Sequence, residues 1–219
     1  MYLGDMVEDP QGNEPRALHW ARSLAALAQS GLAFSADPYD RERYEAIRSI
    51  AAEMTAAIGE LDVRRVLEAL SDDVGYATPK LDVRGVVFRD EEILLVREAA
   101  DDRWTLPGGW ADPWRTAREN AEVEVEEEAG LTVRATRLLA LLDRTLQGHE
   151  PPHPFRTYKA FFLCEITGGT PRARLPETTD VGFFREDAIP PLSRARTTEA
   201  QIRRFFEHLR DPRLPADFD

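Results

Sequence analysis

Three glutamates, Glu124, Glu127 and Glu128, stand at i, i+3 and i+4 in the segment AEVEVEEEAGL, residues 121–131. If the segment is helical, turning about 100° per residue, these three share one face, whereas Glu119, Glu122 and Glu126 gather near the opposite side. The second group reads as a solvated helix face. The first repels itself by roughly a few tenths of a kcal/mol per pair and requires something positive nearby. Mg²⁺ would serve, because it prefers oxygen ligands and commonly bridges carboxylates to substrate phosphates. Ahead of the helix, Pro107, Gly108 and Gly109 predict a tight, side-chain-poor turn, and Gly130 suits a left-handed helix cap. Together these parts could hold a metal against a diphosphate.

The elements that must position them are readable in outline. Apolar residues recur at helical spacing between about 15 and 75: Leu18, Ala21, Leu24, Ala25 and Ala28, then Tyr44, Ile47, Ile50, Met54 and Ile58, then Val63, Val66, Leu67 and Leu70. An all-helical N-terminal domain over residues 15–75 is expected. After GYATPK the pattern becomes β-rich in LDVRGVVFRD and EILLVRE, and a sheet is expected to begin near residue 80. The acidic stretch predicts a helix from about Thr116 to Ala129; TRLLALLDRTL, YKAFFLCEI and VGFF read as strands, and TTEAQIRRFFEHLR as a closing helix. Residues 1–14 and 211–219 are polar and punctuated by glycine or proline, so both are expected to be loosely held.

Composition narrows the function classes. Forty acidic against 28 basic residues give a net charge of -12, which disfavours a nucleic-acid polymer as partner and favours a small phosphate compound arriving with its metal. No apolar run approaches the roughly 18 residues of a membrane span. The first residues lack a signal-peptide pattern and Cys164 is the single cysteine, so a cytoplasmic, disulfide-free protein is expected. GxSxG and GxxxxGK[ST] are absent, which leaves the acid-faced helix as the sharp chemical feature.

In these residues the chain resembles the Nudix hydrolases, whose signature is G, five residues, E, seven residues, then R-E-U-x-E-E-x-G-U with U aliphatic. Gly109, Glu124, Val125, Glu127, Glu128, Gly130 and Leu131 fall on matching positions. WARSLAALAQSGLAFSADPYDRERY, GYATPKLDVRGVVF, YKAFFLCEITGG and VGFFREDAIPPLS extend the likeness to a bacterial subgroup of hydrolases of X-linked nucleoside diphosphates with an N-terminal helical domain. The resemblance implies an α/β/α sandwich with a mixed sheet over residues 78–210. It also implies Mg²⁺ or Mn²⁺ held by Glu124, Glu127 and Glu128, and attack of water on phosphorus in a substrate of the ADP-ribose or CDP-alcohol type. Two positions depart: Arg115 replaces the first glutamate and Val123 the arginine, which would have reached Glu127 at i, i+4. Losses of that kind commonly cost about 10- to 100-fold, so weakened activity is expected, the alternative being a Nudix-fold binding module that no longer hydrolyses. Arg97 or Arg115 is the expected substitute for the missing cation.

Further site candidates complete the reading. Glu127, Glu128 or Glu177, the last in the loop before VGFF, could take a proton from water. Lys80, Arg84 and Arg97 could contact the diphosphate, and Trp104 and Trp110, flanking the glycines, could stack on base or sugar, although an indole there often simply packs. His149 and His153 are expected in a solvated or substrate-edge loop rather than on zinc. Cys164 is expected to be a core thiol. A 60-residue helical appendage has little core of its own, so its apolar faces predict a homodimer.

Overall fold

The computed structural model describes residues 15–219; the expectation for residues 1–14 lies outside the described residues. The chain divides into two compact units, one of residues up to Lys80 together with Pro151–Arg156, the other of Leu81–Glu150 together with Thr157–Asp219.

The first unit holds α1 (Arg16–Phe34), α2 (Pro38–Gly59) and α3 (Val63–Asp72). Asp37 starts α2 by accepting from the backbone N–H of Tyr39 and Asp40, with Pro38 pre-set in the first turn, and Asp62 starts α3 through the Arg65 N–H. Small side chains let the helices close on one another: Ala25, Ala51, Ala52 and Ala56 form the core with Val66 and Leu70. The sequence did not announce that Pro151–Arg156 belongs here. Phe155 packs on that core, and Arg22 donates from Nε to the His153 carbonyl at 2.8 Å.

The second unit is a mixed sheet between two helices. Its strands are β1 (Lys80–Arg89), β2 (Glu92–Glu98), β3 (Trp104–Thr105), β4 (Gly108–Trp110), β5 (Leu131–Asp143), β6 (Thr157–Gly169), β7 (Thr178–Arg185) and β8 (Asp217–Phe218). They run in the order β3-β2-β1-β6-β5-β8, with β4 also on β1 and β7 on β2. Strand alternation sorts the side chains onto two faces. Val86, Ile93 and Leu95 point to α5 (Glu199–Arg210) and pack with Ile202, Phe205 and Phe206. Val87, Leu94 and Val96 point to α4 (Ala117–Ala129) and pack with Val125 and Ala129. This is the expected α/β/α sandwich. Gly85 is what allows α4 to sit so close, since a Cβ there would lie 2.2 Å from Cγ2 of Val125. No helix among the described residues is long and apolar enough to cross a membrane.

Two expectations are corrected. LPGGWAD is not a free turn: Gly108, Gly109 and Trp110 form β4, registered opposite Arg84, Val83 and Asp82 of β1. Pairing wins because β1 offers an open row of backbone groups that the glycines can reach without steric hindrance. The C-terminal residues are not loose either. Strand β8 pairs in parallel with β5, Asp217 accepts two bonds from Arg204 at 2.6 and 2.7 Å and faces His208 Nε2 at 2.8 Å, and Asp219 accepts from the Asp143 N–H and from Gln147. Sequence polarity suggested solvent, but these acids are spent on α5 and the end of β5. Asp217→Ala is therefore expected to lower unfolding free energy by about 1–2 kcal/mol, the scale of charge-assisted bonds lost beside a buried histidine. Urea denaturation checks this, and an unchanged midpoint would mean the tail is not anchored through Asp217.

Candidate active site

Local sequence fixes α4 at both ends. Thr116 and Glu119 form a reciprocal capping box, and Gly130 ends the helix at φ 70°. Asn120 ties the preceding ADPWR segment down, accepting from the Asp112 N–H at 3.1 Å and donating to the Asp112 carbonyl at 3.0 Å. The face read as solvated turns out to be partly structural: besides Glu119 in the cap, Glu122 accepts the Ala135 N–H of β5 at 2.8 Å.

The opposite face meets β4. Glu128, buried, accepts the Gly108 N–H at 2.9 Å. The Glu124 carboxylate lies against Gly109, where a Cβ would stand 2.9 Å from Oε1. Gly108 itself has φ 144°, and a Cβ there would meet the Val83 carbonyl at 2.0 Å. The two glycines thus bring backbone flush against two carboxylates. Burial pushes Glu124 up to about 7 and Glu128 up to about 8; Arg84 opposes both, while Glu127 adds to the first and Glu98 to the second.

Arg84 is the positive centre of this group. It is buried in β1, holds Asp82 through Nε at 2.9 Å and Nη2 at 2.8 Å, and donates to the Leu106 carbonyl at 3.0 Å. Lys159 of β6 donates to the same Asp82 at 2.6 Å. Burial works against charge on Asp82, but Arg84 and Lys159 outweigh it and hold the carboxyl well below its usual range. With two cations on one anion, one is in surplus. Guanidinium does not give up its proton, so Lys159 yields: burial pushes it down to about 7 against the pull of Asp82. Glu98, also buried, carries a raised pKa from burial, moderated by Arg196 at 2.9 Å and by Arg84.

The other expected site residues fall as follows. Glu177 is exposed in the turn before β7, and its charge acts on both Glu124 and Glu98. Glu127 is half-exposed and forms an ion pair with Arg174 at 3.1 Å. Trp110 is half-exposed at the end of β4. The Trp104 indole packs edge-on against Phe184 with ring centroids 4.7 Å apart, as an indole beside the core does. Lys80 pairs with Asp73 and lies over Phe155 inside the helical unit. Neither expected substitute cation reaches the acid face: Arg97 pairs with Asp102 at 2.7 Å and Arg115 with Asp112 at 2.6 Å, each drawn to its nearest carboxylate. The cations beside the acid face are instead Arg84, whose charge acts on Glu124 and Glu128, and Arg174, which pairs with Glu127. His149 is buried rather than solvated; burial pushes it down to about 3, and its nitrogens face the Arg194 carbonyl and Gln201. Cys164 is the expected core thiol, raised by burial to about 12.

Among the described residues no three His, Cys, Asp or Glu side chains converge as a ready-made ligand cage. The donor chemistry nevertheless suits a hard cation: Glu124 and Glu128 are oxygen donors held against backbone, with negative charge added by Glu127 and Glu177 around the first and by Glu98 around the second, and Arg84 opposing on both. Mg²⁺ sites commonly use one or two carboxylates and leave other positions to water and phosphate.

Comparison with known proteins assigns the fold. The profile of the NUDIX domain matches residues 78–209, and that of a UDP-X-like N-terminal oligomerisation domain matches residues 15–70. The chain belongs to the Nudix hydrolase family. A Bacillus subtilis (strain 168) protein named "Putative ADP-ribose pyrophosphatase YjhB" is 44% identical over 202 residues, 92% of this chain and 96% of that one. A crystal structure of a UDP-X diphosphatase is 34% identical, covers 91% of this chain and 96% of its own, and superposes with TM-score 0.60. An ADP-ribose pyrophosphatase from Streptococcus suis 89-1591 is 40% identical over 65% of this chain and all of its own, with TM-score 0.59.

The raised carboxyls make a pH prediction. Between their ordinary 4.5 and the folded values of about 7 and about 8, the folded protein binds more protons at Glu124 and Glu128 than the unfolded chain does. Metal-free stability is therefore expected to fall as pH rises through that window, while Mg²⁺, which must displace those protons, stabilises progressively more. Thermal melts at about pH 6 and about pH 8.5, with and without Mg²⁺, check both signs. A Mg²⁺-induced shift equal at the two values would overturn the assignment of these carboxyls as ligands.

Proposed function

We propose that the protein hydrolyses the pyrophosphate bond of a nucleoside diphosphate linked to another moiety, in a reaction that requires Mg²⁺ or Mn²⁺. The observation that carries this reading is the pairing of Glu124 and Glu128 against the Gly108–Gly109 backbone on the helix of the Nudix signature. ADP-ribose is the first substrate to test, because two relatives carry that activity in their names, with UDP-linked compounds and CDP-alcohols next.

The chain's own residues supply most of the machinery. Glu124 and Glu128, joined by Glu127, would hold the cation, which when bound neutralises diphosphate charge and acidifies water. Arg84 sets how far those carboxyls give up their protons, and Asp82 and Lys159 keep its guanidinium in place. Glu177, exposed and within electrostatic reach of Glu124, is the carboxylate best placed to take the proton of an attacking water at its side-chain oxygen. Trp110 offers an indole face beside β4 for a base or sugar. The single buried thiol suits a reducing compartment such as the cytoplasm.

The helical unit is proposed to pair two copies. Trp20, Leu27, Phe34, Tyr39, Ile50 and Tyr76 are each 47% to 74% exposed there, and the matching profile describes an oligomerisation domain. Light scattering at micromolar concentration should give twice the 24.8 kDa chain mass; a monomer would refute the pairing.

Phosphate release, with coupled phosphatase, from a panel of nucleoside diphosphate derivatives tests the activity. Turnover in Mg²⁺ or Mn²⁺ is expected, falling at least about 100-fold in Glu124→Gln and in Glu127→Gln, since loss of a ligand should exceed the usual outer-shell effect. A folded protein that binds nucleotide yet releases nothing across the panel would favour the binding module instead.

A further inference from the structure

The loop that follows β6 brings an arginine to the acidic helix, in a chain whose position 123 lacks the arginine of the signature. At position 123 the helix presents valine, so the i, i+4 partner of Glu127 is missing from its own helix. What stands there is a groove of about 520 Å³, bounded on the helix side by Val123, Glu126, Glu127 and Gly130 and on the other side by Arg172, Ala173, Arg174 and Leu175. From that far bank Arg174 places Nη1 3.1 Å from Oε1 of Glu127.

The Arg174 backbone is not adrift. The Arg172 N–H bonds the Ala129 carbonyl at 2.8 Å and the Thr170 N–H the Gly130 carbonyl at 3.1 Å, fastening the loop to the end of α4. The Arg174 N–H bonds Oγ1 of Thr178 at 2.9 Å, and that hydroxyl donates to the Glu128 carbonyl at 3.0 Å. The Arg174 carbonyl accepts from the backbone of Glu177 at 3.1 Å and of Thr178 at 3.0 Å. One turn therefore sets both the cation that faces Glu127 and the carboxylate of Glu177.

We propose that Arg174 is a positioning residue that supplies, from the loop, the guanidinium that Val123 removed from the helix, fixing Glu127 by one carboxylate oxygen and leaving the other to a metal ion. This rests on the metal-dependent reading above. Both side chains are about half exposed, so the pair contributes little to folding stability and its effect belongs to the orientation of Glu127. Two opposed consequences follow from removing Arg174. A like charge leaves the neighbourhood of the metal, but solvent already screens it; Glu127 regains rotamers that it must give up again on coordination. The second dominates, so metal binding weakens.

The test is a double-mutant cycle of Arg174→Ala and Val123→Arg, with Arg174→Lys as the conservative variant. It is read in two ways: Mn²⁺ affinity from the EPR signal of free Mn²⁺, which needs no turnover, and kcat and KM for ADP-ribose. Arg174→Ala is expected to weaken Mn²⁺ binding about 10-fold and to lower kcat by about 10- to 100-fold with KM little changed. Arg174→Lys should keep most of both. Val123→Arg should restore the Arg174→Ala protein while adding little to the wild type, because one carboxylate oxygen takes one guanidinium. Unchanged Mn²⁺ affinity in Arg174→Ala, or an equal gain from Val123→Arg in both backgrounds, overturns the replacement. A wild type that binds Mn²⁺ without hydrolysing anything counts against the proposed activity, and the Mn²⁺ cycle still decides the role of Arg174.

Discussion

A buried guanidinium on β1 is the constraint to which the rest of the site answers. Arg84 cannot shed its charge, so burial obliges the protein to surround it with acceptors. Asp82 takes two of its bonds and the Leu106 carbonyl a third, and Glu128 and Glu98 lie within its field. The two acceptors come from β1 itself and from the loop before β4, and the two further carboxyls in its field from α4 and β2. A single side chain thereby keys the strand, the glycine edge and the acidic helix together. Without that cation, Glu124 and Glu128 would be two desolvated carboxyls against a sheet edge without the positive charge that opposes their burial.

The apolar framework makes this arrangement affordable. Consecutive residues of β1 and β2 feed opposite cores, so α4 and α5 are each held by side chains with almost no solvent contact. A buried side chain of this size is worth about 1.5–3 kcal/mol, and several act on each helix. That is ample to hold α4 in place while its exposed acids repel one another by tenths of a kcal/mol.

Sequence reasoning reached the helix, its glycine cap and the carboxylate face because each depends on local chemistry, and the sandwich through the family resemblance. The parts it missed depend on partners distant along the chain. Asp82 and Arg84, two apart in an otherwise apolar strand, could have been read as an ion pair on one face, and Lys159 inside YKAFFLCEI as a buried ammonium in need of an anion. Nothing in the spacing joins them across 77 positions. Arg174 likewise sits in a polar loop that only the register of β5 on β6 and of β2 on β7 brings beside Glu127. Where an acid stood a few residues away, as for Arg97 and Arg115, the arginine pairs with it and not with the acid face of α4.

The return of Pro151–Arg156 to the helical unit has a consequence for how the chain is made. Synthesis delivers α1, α2 and α3 first, yet Phe155, which packs on their core, and the His153 carbonyl that receives Arg22 emerge only after β1 to β5. A nascent helical unit waits without the Phe155 contact and the His153 carbonyl until translation has passed through most of the sheet. A gene fragment ending near residue 80 would encode those helices without the Phe155 ring that packs on their core and without the His153 carbonyl that Arg22 reaches.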